Sequence, residues 1–308
     1  MLPPSVRFLA LPIRDLWYDA VSPVFLRALQ TLAMACSLIA LGSNLGDRAG
    51  QLQRALGELA RLPQTRLIAR SQWHETPPAG GPAGQGPFLN GAALLGTSLA
   101  PPALLAELHR VEALLGRVRA EQWAARSLDL DLLLYDRLAR QTPELAIPHP
   151  RMAFRRFVLE PAAEAAPWML HPESGWTVQR LLDQLNDGAE LIGVAAVDHW
   201  DAERLAAELA KRLALPPIAA AEDVRRPAIV TFGVTHKNNP APSPRPKLVL
   251  APACAASMDP AKWRTILQLP PNGPVAWITS TTAEQALHEA LAAVHSVWPS
   301  LAMSADGQ

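Results

Sequence analysis

The apolar positions in the first half of the chain recur with two different periods. A period of two is typical of strands and a period near 3.6 of helices, and the two alternate in the order β-α-β-β-α-β. The sequence therefore predicts an α+β unit with a mixed or antiparallel sheet and its helices on one face. The predicted elements are a strand at 35–41, a helix after Asp47, strands at 65–75 and 88–98, a helix at 100–117 and a strand at 126–136.

Beyond this unit the pattern changes twice. Residues 147–170 predict a loop followed by short helices, and a second alternation of strands and helices begins near residue 190. That alternation predicts a small parallel α/β domain, interrupted by a proline-rich connector at 216–246. We therefore expect a poorly ordered N-terminal extension at 1–33, a first domain at 34–187 and a C-terminal domain of unknown role at 190–308.

The charge and the cysteine content argue against several classes of protein. The 308 residues carry 28 basic and 28 acidic side chains, so no overall basic field favours nucleic acid or an anionic membrane. Cys36 and Cys254 are too few and too far apart for a disulfide framework or a CxxC metal site. Residues 24–41, the best candidate for a membrane span, are interrupted by polar side chains. We expect a cytoplasmic protein.

Two aspartates interrupt the last predicted strand of the first unit, in the segment RSLDLDLLLYD. Residues two apart in a strand share a face, so Asp129 and Asp131 point the same way while Leu128, Leu130 and Leu132 face the core. One interpretation is a solvent-exposed polar face, which is common in half-buried strands. The other is a pair of oxygen ligands for Mg²⁺ on a phosphate chain, since a divalent cation would relieve the repulsion between two carboxylates.

Arginines come directly before this strand. Arg117, Arg119 and Arg126 lie in the segment RVRAEQWAAR, with Trp123 between them. Guanidinium groups bind the non-bridging oxygens of phosphates, and a metal held by carboxylates neutralises the same chain. The combination favours a site for a small polyanion, although a solvated loop after a helix is the alternative.

Two further segments carry groups suited to a flat heterocycle. Thr76, Pro77 and Pro78 fix an extended backbone whose amide and carbonyl groups can read such a ring, while Phe88 offers a stacking face and Asn90 both a donor and an acceptor. Taken alone, this is also an ordinary proline-rich loop that enters a strand. The segment IPHPRMAFRRF adds cationic and aromatic side chains, namely His149, Arg151, Arg155, Arg156 and Phe157.

Five segments together resemble one known family. SLIALGSNLGDR, ETPPAGG, PFLN, VEALLGRVRAEQWAARSLDLDLLLYD and IPHPRM occur in the order and approximate spacing of the 6-hydroxymethyl-7,8-dihydropterin pyrophosphokinase (HPPK) family, over residues 35–170. The resemblance implies a ferredoxin-like fold and a part in folate biosynthesis. It implies an ATP-dependent diphosphotransferase that moves the pyrophosphoryl group of ATP onto the pterin alcohol, which gives the pterin diphosphate and AMP.

The resemblance also implies a role for each matching residue, with Asp129 and Asp131 as the ligands of two Mg²⁺ ions. The implied catalytic set is Asp129, Asp131, Arg117, Arg119 and Arg126. The residues implied for ATP, the co-substrate, are Glu112, Arg117, Trp123, Arg126, His149 and Arg155. Those implied for the pterin are Thr76, Pro77, Pro78, Phe88, Asn90 and Phe157.

The chain departs from the family pattern at three positions. Ala120 stands where many members have a basic residue, Pro150 where an aromatic residue is usual, and Phe88 where a Tyr is frequent. We expect altered nucleotide affinity or loop dynamics rather than loss of activity. We expect small-molecule substrates, a monomer and no nucleic acid or membrane partner; association with other folate-pathway enzymes stays open. We also expect transfer to survive removal of the residues after about 190.

Two other functions remain as alternatives. DLD also matches the DxD motif of nucleotide-sugar transferases, although no doubly wound nucleotide-sugar domain precedes it. A degenerate, non-catalytic binder is the third interpretation. The presence of Asp129, Asp131, Arg117 and Arg126 argues against it.

Overall fold

A computed structural model describes residues 34–79, 84–117, 126–196, 202–215, 228–233, 246–252, 275–280, 282–299 and 301. The predicted extension at 1–33 lies outside these described residues, as do Arg119, Ala120, Trp123 and Cys254. The division of the chain into domains stays a prediction.

The first sheet has five strands, and all of its pairs are antiparallel. Its elements are β1 (Ala35–Ser43), α1 (Arg48–Leu59), β2 (Thr65–Arg70), β3 (His74–Thr76), β4 (Phe88–Thr97), α2 (Pro101–Leu114) and β5 (Asp129–Tyr135). The strands lie in the order β2-β4-β1-β5, and β3 also pairs with β4. The predicted order of elements is therefore observed. The prediction of a single strand at 65–75 is wrong in one respect. The strand is interrupted between β2 and β3, and both of these strands pair with β4.

Both helices of this unit form where the sequence predicts them. Asp47 caps α1, since its Oδ1 accepts the backbone N–H of Gly50 at 3.0 Å. Prolines occupy the first turn of α2, where no intrahelical donor is lost. The helices cover the face of the sheet that carries Ile39 and Leu41, and together they enclose one of the two buried apolar clusters.

The other face of the sheet is covered as well. A 3-10 turn (Met152–Phe154), α3 (Arg156–Ala165) and α4 (Val178–Asp187) follow the first unit, and α3 packs against β4. The expectation of helices on one face holds for α1 and α2, but Leu38 and Leu94 make the opposite face apolar too. That face therefore needs its own cover. Two short strand pairs complete this region: β6 (Arg140–Gln141) with β7 (Ala146–Ile147), and β8 (Leu170–His171) with β9 (Trp176–Thr177).

The C-terminal part of the chain contains a four-stranded parallel sheet, as the alternating pattern predicts. Its described elements are β10 (Ala189–Ala196), α5 (Ala202–Arg212), β11 (Ala228–Gly233), β12 (Pro246–Pro252), β13 (Ala276–Ile278) and α6 (Ala283–Val297). The connector predicted at 216–246 is wrong in its middle, because β11 lies there. Its sequence AIVTFG is proline-free and rich in β-branched residues, a signal that the many surrounding prolines obscure.

One buried apolar cluster continues from the first sheet into the C-terminal sheet. It includes Leu38 and Leu94 of the first sheet, Leu159 of α3, Ile192 of β10 and Val294 of α6. The two parts are thus in contact through a common core. In the part of the chain that the structure describes, none of the helices has the length and apolar composition of a membrane-spanning segment.

Candidate active site

Strand β5 presents its two aspartates away from the helices α1 and α2. Leu128, Leu130 and Leu132 are at most 4% exposed in the core beneath the sheet, and the carboxylates alternate with them on the other face. Asp129 lies opposite Gly42 of β1 and Asp131 lies opposite Ala40. Because these partners are small, the carboxylates border a cleft rather than a packed core. The cleft is lined by residues of β1, β3, β4, β5 and α3.

Asp129 is held by two arginines. Its Oδ1 lies 2.8 Å from Nη1 of Arg117 and its Oδ2 lies 2.5 Å from Nη1 of Arg126. Arg126 is fixed in turn, since its backbone N–H donates to Asn44 Oδ1 at 2.7 Å and its carbonyl accepts the N–H of Asn44 at 3.1 Å. The predicted neighbourhood of carboxylates and guanidinium groups is therefore present. Arg126 lines the cleft, whereas Arg117 contacts Asp129 without lining the cleft.

Glu112 of α2 holds Arg117 and the backbone of β5 in place. It is 1% exposed, and its Oε1 accepts the backbone N–H of Leu130 at 2.7 Å and contacts Nη1 of Arg117. Burial raises the pKa of Glu112, although the hydrogen bond from Leu130 and the charge of Arg117 oppose the change. Glu112 thus joins α2 to β5 and orients Arg117, but it does not line the cleft.

The two aspartates differ in their surroundings. Burial and the charge of Asp131 raise the pKa of Asp129 above its usual range, against the opposing effect of Arg126 and Arg117. The Asp131 side chain is 41% exposed. Among the described residues, its nearest basic side chain is His149, whose Nε2 lies 3.9 Å from Asp131 Oδ2. Asp131 therefore keeps carboxylate oxygens available to a ligand in the cleft.

His149 stands beside Asp131 as a neutral side chain. Its backbone N–H donates to Leu133 O at 2.9 Å, and its Nδ1 accepts the N–H of Arg151 at 3.2 Å. Burial, Arg155 and Arg151 lower the pKa of His149 to about 3. At neutral pH the ring is uncharged, and with Nδ1 as the acceptor its proton lies on Nε2.

Arg155 lies in the wall of the cleft. Burial, followed by the charge of Arg151, lowers the pKa of Arg155 to about 9. Its guanidinium carbon is 5.4 Å from the centroid of the Phe157 ring. Its Nε is buried and has no hydrogen-bond partner among the described residues. A cation that is poorly compensated in this way favours an anionic ligand.

The aromatic and amide groups of the cleft come from β3, β4 and α3. Strand pairing places Thr76 opposite Phe88 and His74 opposite Asn90, and Asn90 Nδ2 donates to Thr76 Oγ1 at 2.8 Å. Five of the six residues predicted for the pterin line the cleft, namely Thr76, Pro77, Phe88, Asn90 and Phe157. Pro78 does not line it.

Gly42 lines the cleft between Asn90 and Asp129. A Cβ atom placed on Gly42 would lie 3.3 Å from Asn90 Oδ1 and 3.9 Å from Asp129 Cβ. Any side chain here would therefore project between the amide and the carboxylate. The sequence analysis ends the strand at residue 41 and misses Gly42 and Ala40 as site residues, although small residues two apart in a strand would have indicated an open face.

Gln85 is a further lining residue that the sequence analysis misses. Its Oε1 accepts the side-chain amide of Asn44 at 3.0 Å, which links the loop before β4 to the turn after β1. Arg48 strengthens the same link, because its Nη1 donates to Pro87 O at 2.7 Å and its Nη2 pairs with Glu75 at 2.7 Å. No motif marks these contacts, since they join segments that are distant in the sequence.

The donor set of the cleft is suited to a metal ion that a substrate also binds. Among the described residues, no group of three or more histidines, cysteines, aspartates and glutamates could hold a metal ion unaided. Mg²⁺ usually takes one or two protein carboxylates and completes its shell with waters and substrate phosphates. Asp129 and Asp131 offer two carboxylates on one face, so these residues fit the ion.

Comparisons with known proteins agree on one family. The family model "7,8-dihydro-6-hydroxymethylpterin-pyrophosphokinase (HPPK)" matches residues 38–167. The chain is similar to 2-amino-4-hydroxy-6-hydroxymethyldihydropteridine pyrophosphokinase of Pseudomonas aeruginosa, with 46% identity over 44% of this chain and 83% of the relative. It is also similar to the protein of that name from Synechocystis sp., with 39% identity over 49% of this chain and 76% of the relative.

A structural likeness is much weaker. A crystal structure of wild-type Plasmodium falciparum HPPK-DHPS with pteroate matches with a TM-score of 0.40 and 12% identity, over 71% of this chain and 63% of that one. At that level the likeness supports no conclusion about this chain.

Proposed function

Because the chain belongs to the HPPK family, we propose that it transfers the pyrophosphoryl group of ATP to 6-hydroxymethyl-7,8-dihydropterin in folate biosynthesis. The products are the pterin diphosphate and AMP. The observation that carries this proposal is a single cleft that contains two kinds of groups. Asp129, Asp131 and Arg126 provide the charged groups, and Phe88 and Asn90 provide an aromatic ring and an amide.

In this proposal the charged groups bind the triphosphate of ATP. Arg126 and Arg155 line the cleft and supply cations for the phosphate oxygens, while Arg117 is held behind Asp129 by Glu112. His149, which is neutral, can donate from Nε2 without adding charge. We assign Arg119 and Trp123, which lie outside the described residues, to the nucleotide as well, on the family resemblance alone.

Asp129 and Asp131 would hold the metal, and we propose two Mg²⁺ ions as in the family. When bound, such ions neutralise the negative charge that the phosphate chain gathers during transfer. The arginines now paired with Asp129 occupy the place of a cation. We propose that Arg117 or Arg126 releases the carboxylate when Mg²⁺ binds and turns toward the phosphates.

The aromatic and amide groups of the cleft would bind the pterin. Phe88 and Phe157 provide flat apolar surfaces, and Asn90 and the backbone beside Thr76 and Pro77 provide hydrogen-bonding groups. Pro78 keeps a framing role in this proposal, since it follows Pro77 in the same extended segment. The pterin hydroxymethyl group would then lie near Gly42, between Asn90 and Asp129.

The reaction needs positioning and charge stabilisation more than a reactive side chain. The hydroxymethyl oxygen attacks the β-phosphorus, a new oxygen–phosphorus bond forms, and the bond from the β-phosphorus to the oxygen bridging it to the α-phosphate breaks. AMP leaves with that oxygen. We propose that Asp129 also orients the attacking hydroxyl group and helps to remove its proton, as the family resemblance implies.

Several finer assignments belong to the same proposal. We propose a ferredoxin-like fold for the first unit, supported by the strand order β2-β4-β1-β5 and the two helices on one face. We propose the catalytic domain at 34–187 and a separate C-terminal unit at 190–308. We also propose a monomer in the cytoplasm, and leave association with other folate-pathway enzymes open.

The test is an assay of the purified chain with ATP, Mg²⁺ and the pterin alcohol, in which nucleotides are separated by chromatography. AMP should form only when the pterin alcohol is present. The variant Asp131→Asn should form none, whereas Asp47→Asn, which keeps the cap of α1, should match the wild type. Absence of AMP from the wild-type reaction, or release of ADP in its place, would contradict the proposal.

A further inference from the structure

Three consecutive residues at the start of α3 connect the cleft to the part of the chain that follows. Arg155 and Phe157 line the cleft and contact each other. Arg156 lies between them and is not among the lining residues. Its Nη1 donates to Asn186 Oδ1 at 2.7 Å and its Nη2 donates to Leu185 O at 2.8 Å. The wall of the cleft is thus fastened to the last turn of α4.

This last turn of α4 is also fastened to the C-terminal sheet. Gln184 Nε2 donates to Pro246 O at 3.0 Å, at the first residue of β12. The next residue of β12, Lys247, is 7% exposed and pairs with Glu190 of β10. Trp298, which follows α6, donates from Nε1 to Glu190 Oε2 at 2.5 Å. These contacts connect the end of α4 to the starts of β10 and β12 and to the end of α6.

Helix α3 is enclosed from two sides. It packs against β4 of the first sheet on one side and against α6 on another, and α6 also contacts the 3-10 turn before α3. Phe154 and Leu159 share their buried cluster with Val294 and Trp298. Residues packed on two sides have little freedom to shift, because protein cores are close-packed.

We propose that the C-terminal α/β unit positions the pterin-binding wall of the cleft, with Arg156 as the positioning residue. A guanidinium group that binds the carbonyl end of a helix makes charge-assisted hydrogen bonds of fixed direction. Since Arg155 and Phe157 flank Arg156 in the chain, fixing Arg156 fixes both neighbours. This inference rests on the proposed function in one respect, because it takes the pterin to be the ligand of that wall.

The proposal replaces the expectation that transfer is independent of the residues after about 190. Binding sites need their side chains within about 0.5 Å of the productive position. A wall that is loosened by a lost contact should therefore bind the pterin less well. Arg155 belongs to the same wall and is assigned to the phosphates, so ATP should also bind less well, whereas the aspartates of β5 should keep their positions.

The experiment compares full-length variants by steady-state kinetics and by pterin binding, followed through the fluorescence of the pterin itself. In Arg156→Met both hydrogen bonds to α4 are lost while the aliphatic stem remains. We expect the KM and the Kd for the pterin to rise about two- to thirtyfold, the range for residues that act without touching a ligand. The KM for ATP should rise in the same direction, because Arg155 also flanks Arg156, and kcat should stay within about twofold of the wild type. Arg156→Lys keeps a cationic donor and should recover part of the loss.

Two further variants separate positioning from stability. Gln184→Met removes the hydrogen bond to Pro246 and should weaken pterin binding in the same direction as Arg156→Met, by a smaller factor. Arg110→Met is the matched control, since Arg110 makes a comparable ion pair of 2.7 Å with Glu107 on the exposed side of α2. It should leave pterin binding unchanged.

The possible outcomes are distinct. If Arg156→Met lowers the melting temperature but leaves the Kd for the pterin unchanged, Arg156 is structural only and the proposal is wrong. An unchanged Kd in Gln184→Met would exclude the C-terminal sheet from the positioning. A wild type that binds pterin without releasing AMP would refute the proposed function alone, and the binding data would still decide this inference. A wild type that binds no pterin would refute both.

Discussion

Asp129→Asn is predicted to abolish activity and yet leave the fold as stable as before, or more stable. The substitution keeps the shape of the side chain and removes its charge. Burial and Asp131 disfavour that charge more than Arg126 and Arg117 favour it, which is why the pKa of Asp129 is raised. The charge of Asp129 therefore lowers the free energy of unfolding, although the proposed function requires this charge.

The size and the pH dependence of this cost follow from the same shift. Each unit by which a pKa is raised corresponds to about 1.4 kcal/mol. Because the Asp129 side chain is 20% exposed, solvent weakens the effect, and we expect a gain of about 1 kcal/mol or less at pH 7.5. The folded wild type holds this proton more tightly than the unfolded chain. Its stability relative to the variant therefore falls as the pH rises from the ordinary carboxyl range through the raised pKa.

The assay is urea unfolding of Asp129→Asn and of the wild type, followed by circular dichroism at pH 4 and pH 7.5, together with AMP release at pH 7.5. The difference in unfolding free energy should be near zero at pH 4 and should favour the variant at pH 7.5. AMP release should fall at least about a hundredfold, since charge stabilisation at a transferring phosphoryl group is worth several kcal/mol. A variant that is less stable by more than about 1 kcal/mol at pH 7.5 would refute the electrostatic reasoning. Retained turnover would refute the role of Asp129.

Three other substitutions give further checks. Gly42→Val should raise the KM for the pterin at least about tenfold in steady-state kinetics, with little change in the KM for ATP. The reason is that the valine methyl groups would project between Asn90 and Asp129. An unchanged KM for the pterin would mean that the pterin binds elsewhere. Glu112→Leu should lower the unfolding free energy in urea by about 1–3 kcal/mol, since it leaves the N–H of Leu130 without its acceptor, and a neutral effect would contradict this. In the variant Cys254→Ser, Cys36 is the one remaining thiol. Burial and Asp136 raise the pKa of Cys36 to about 11, so this thiol should resist labelling at pH 8 until the protein is unfolded. Rapid labelling of the folded protein would refute the burial of Cys36.

The first unit could be predicted from the sequence because local signals agree with the global fold there. Alternating leucines and aspartates in RSLDLDLLLYD specify which face of β5 is buried, and Leu128, Leu130 and Leu132 are indeed in the core. Prolines and Asp47 mark the helix starts in the same way. Each of these signals lies within a few residues of the element that it predicts.

The features that the sequence analysis misses depend on contacts between distant segments. The break between β2 and β3 has no local turn signal, and strand β11 lies among prolines that suggest a connector. The cover on the second face of the sheet depends on α3, whose partner β4 lies far before it in the sequence. Arg156 looks like one more arginine in IPHPRMAFRRF, and only its contacts with the end of α4 distinguish it from Arg155.

The central claim is that Asp129 and Asp131 gather divalent cations where the phosphate chain meets the pterin. Crystals grown with Mn²⁺, α,β-methylene ATP and the pterin alcohol would test it through the anomalous scattering of manganese. We predict anomalous peaks beside the carboxylates of Asp129 and Asp131, with at least one of Arg117 and Arg126 turned onto the phosphates. Peaks elsewhere, with Asp129 still paired to both arginines, would contradict it.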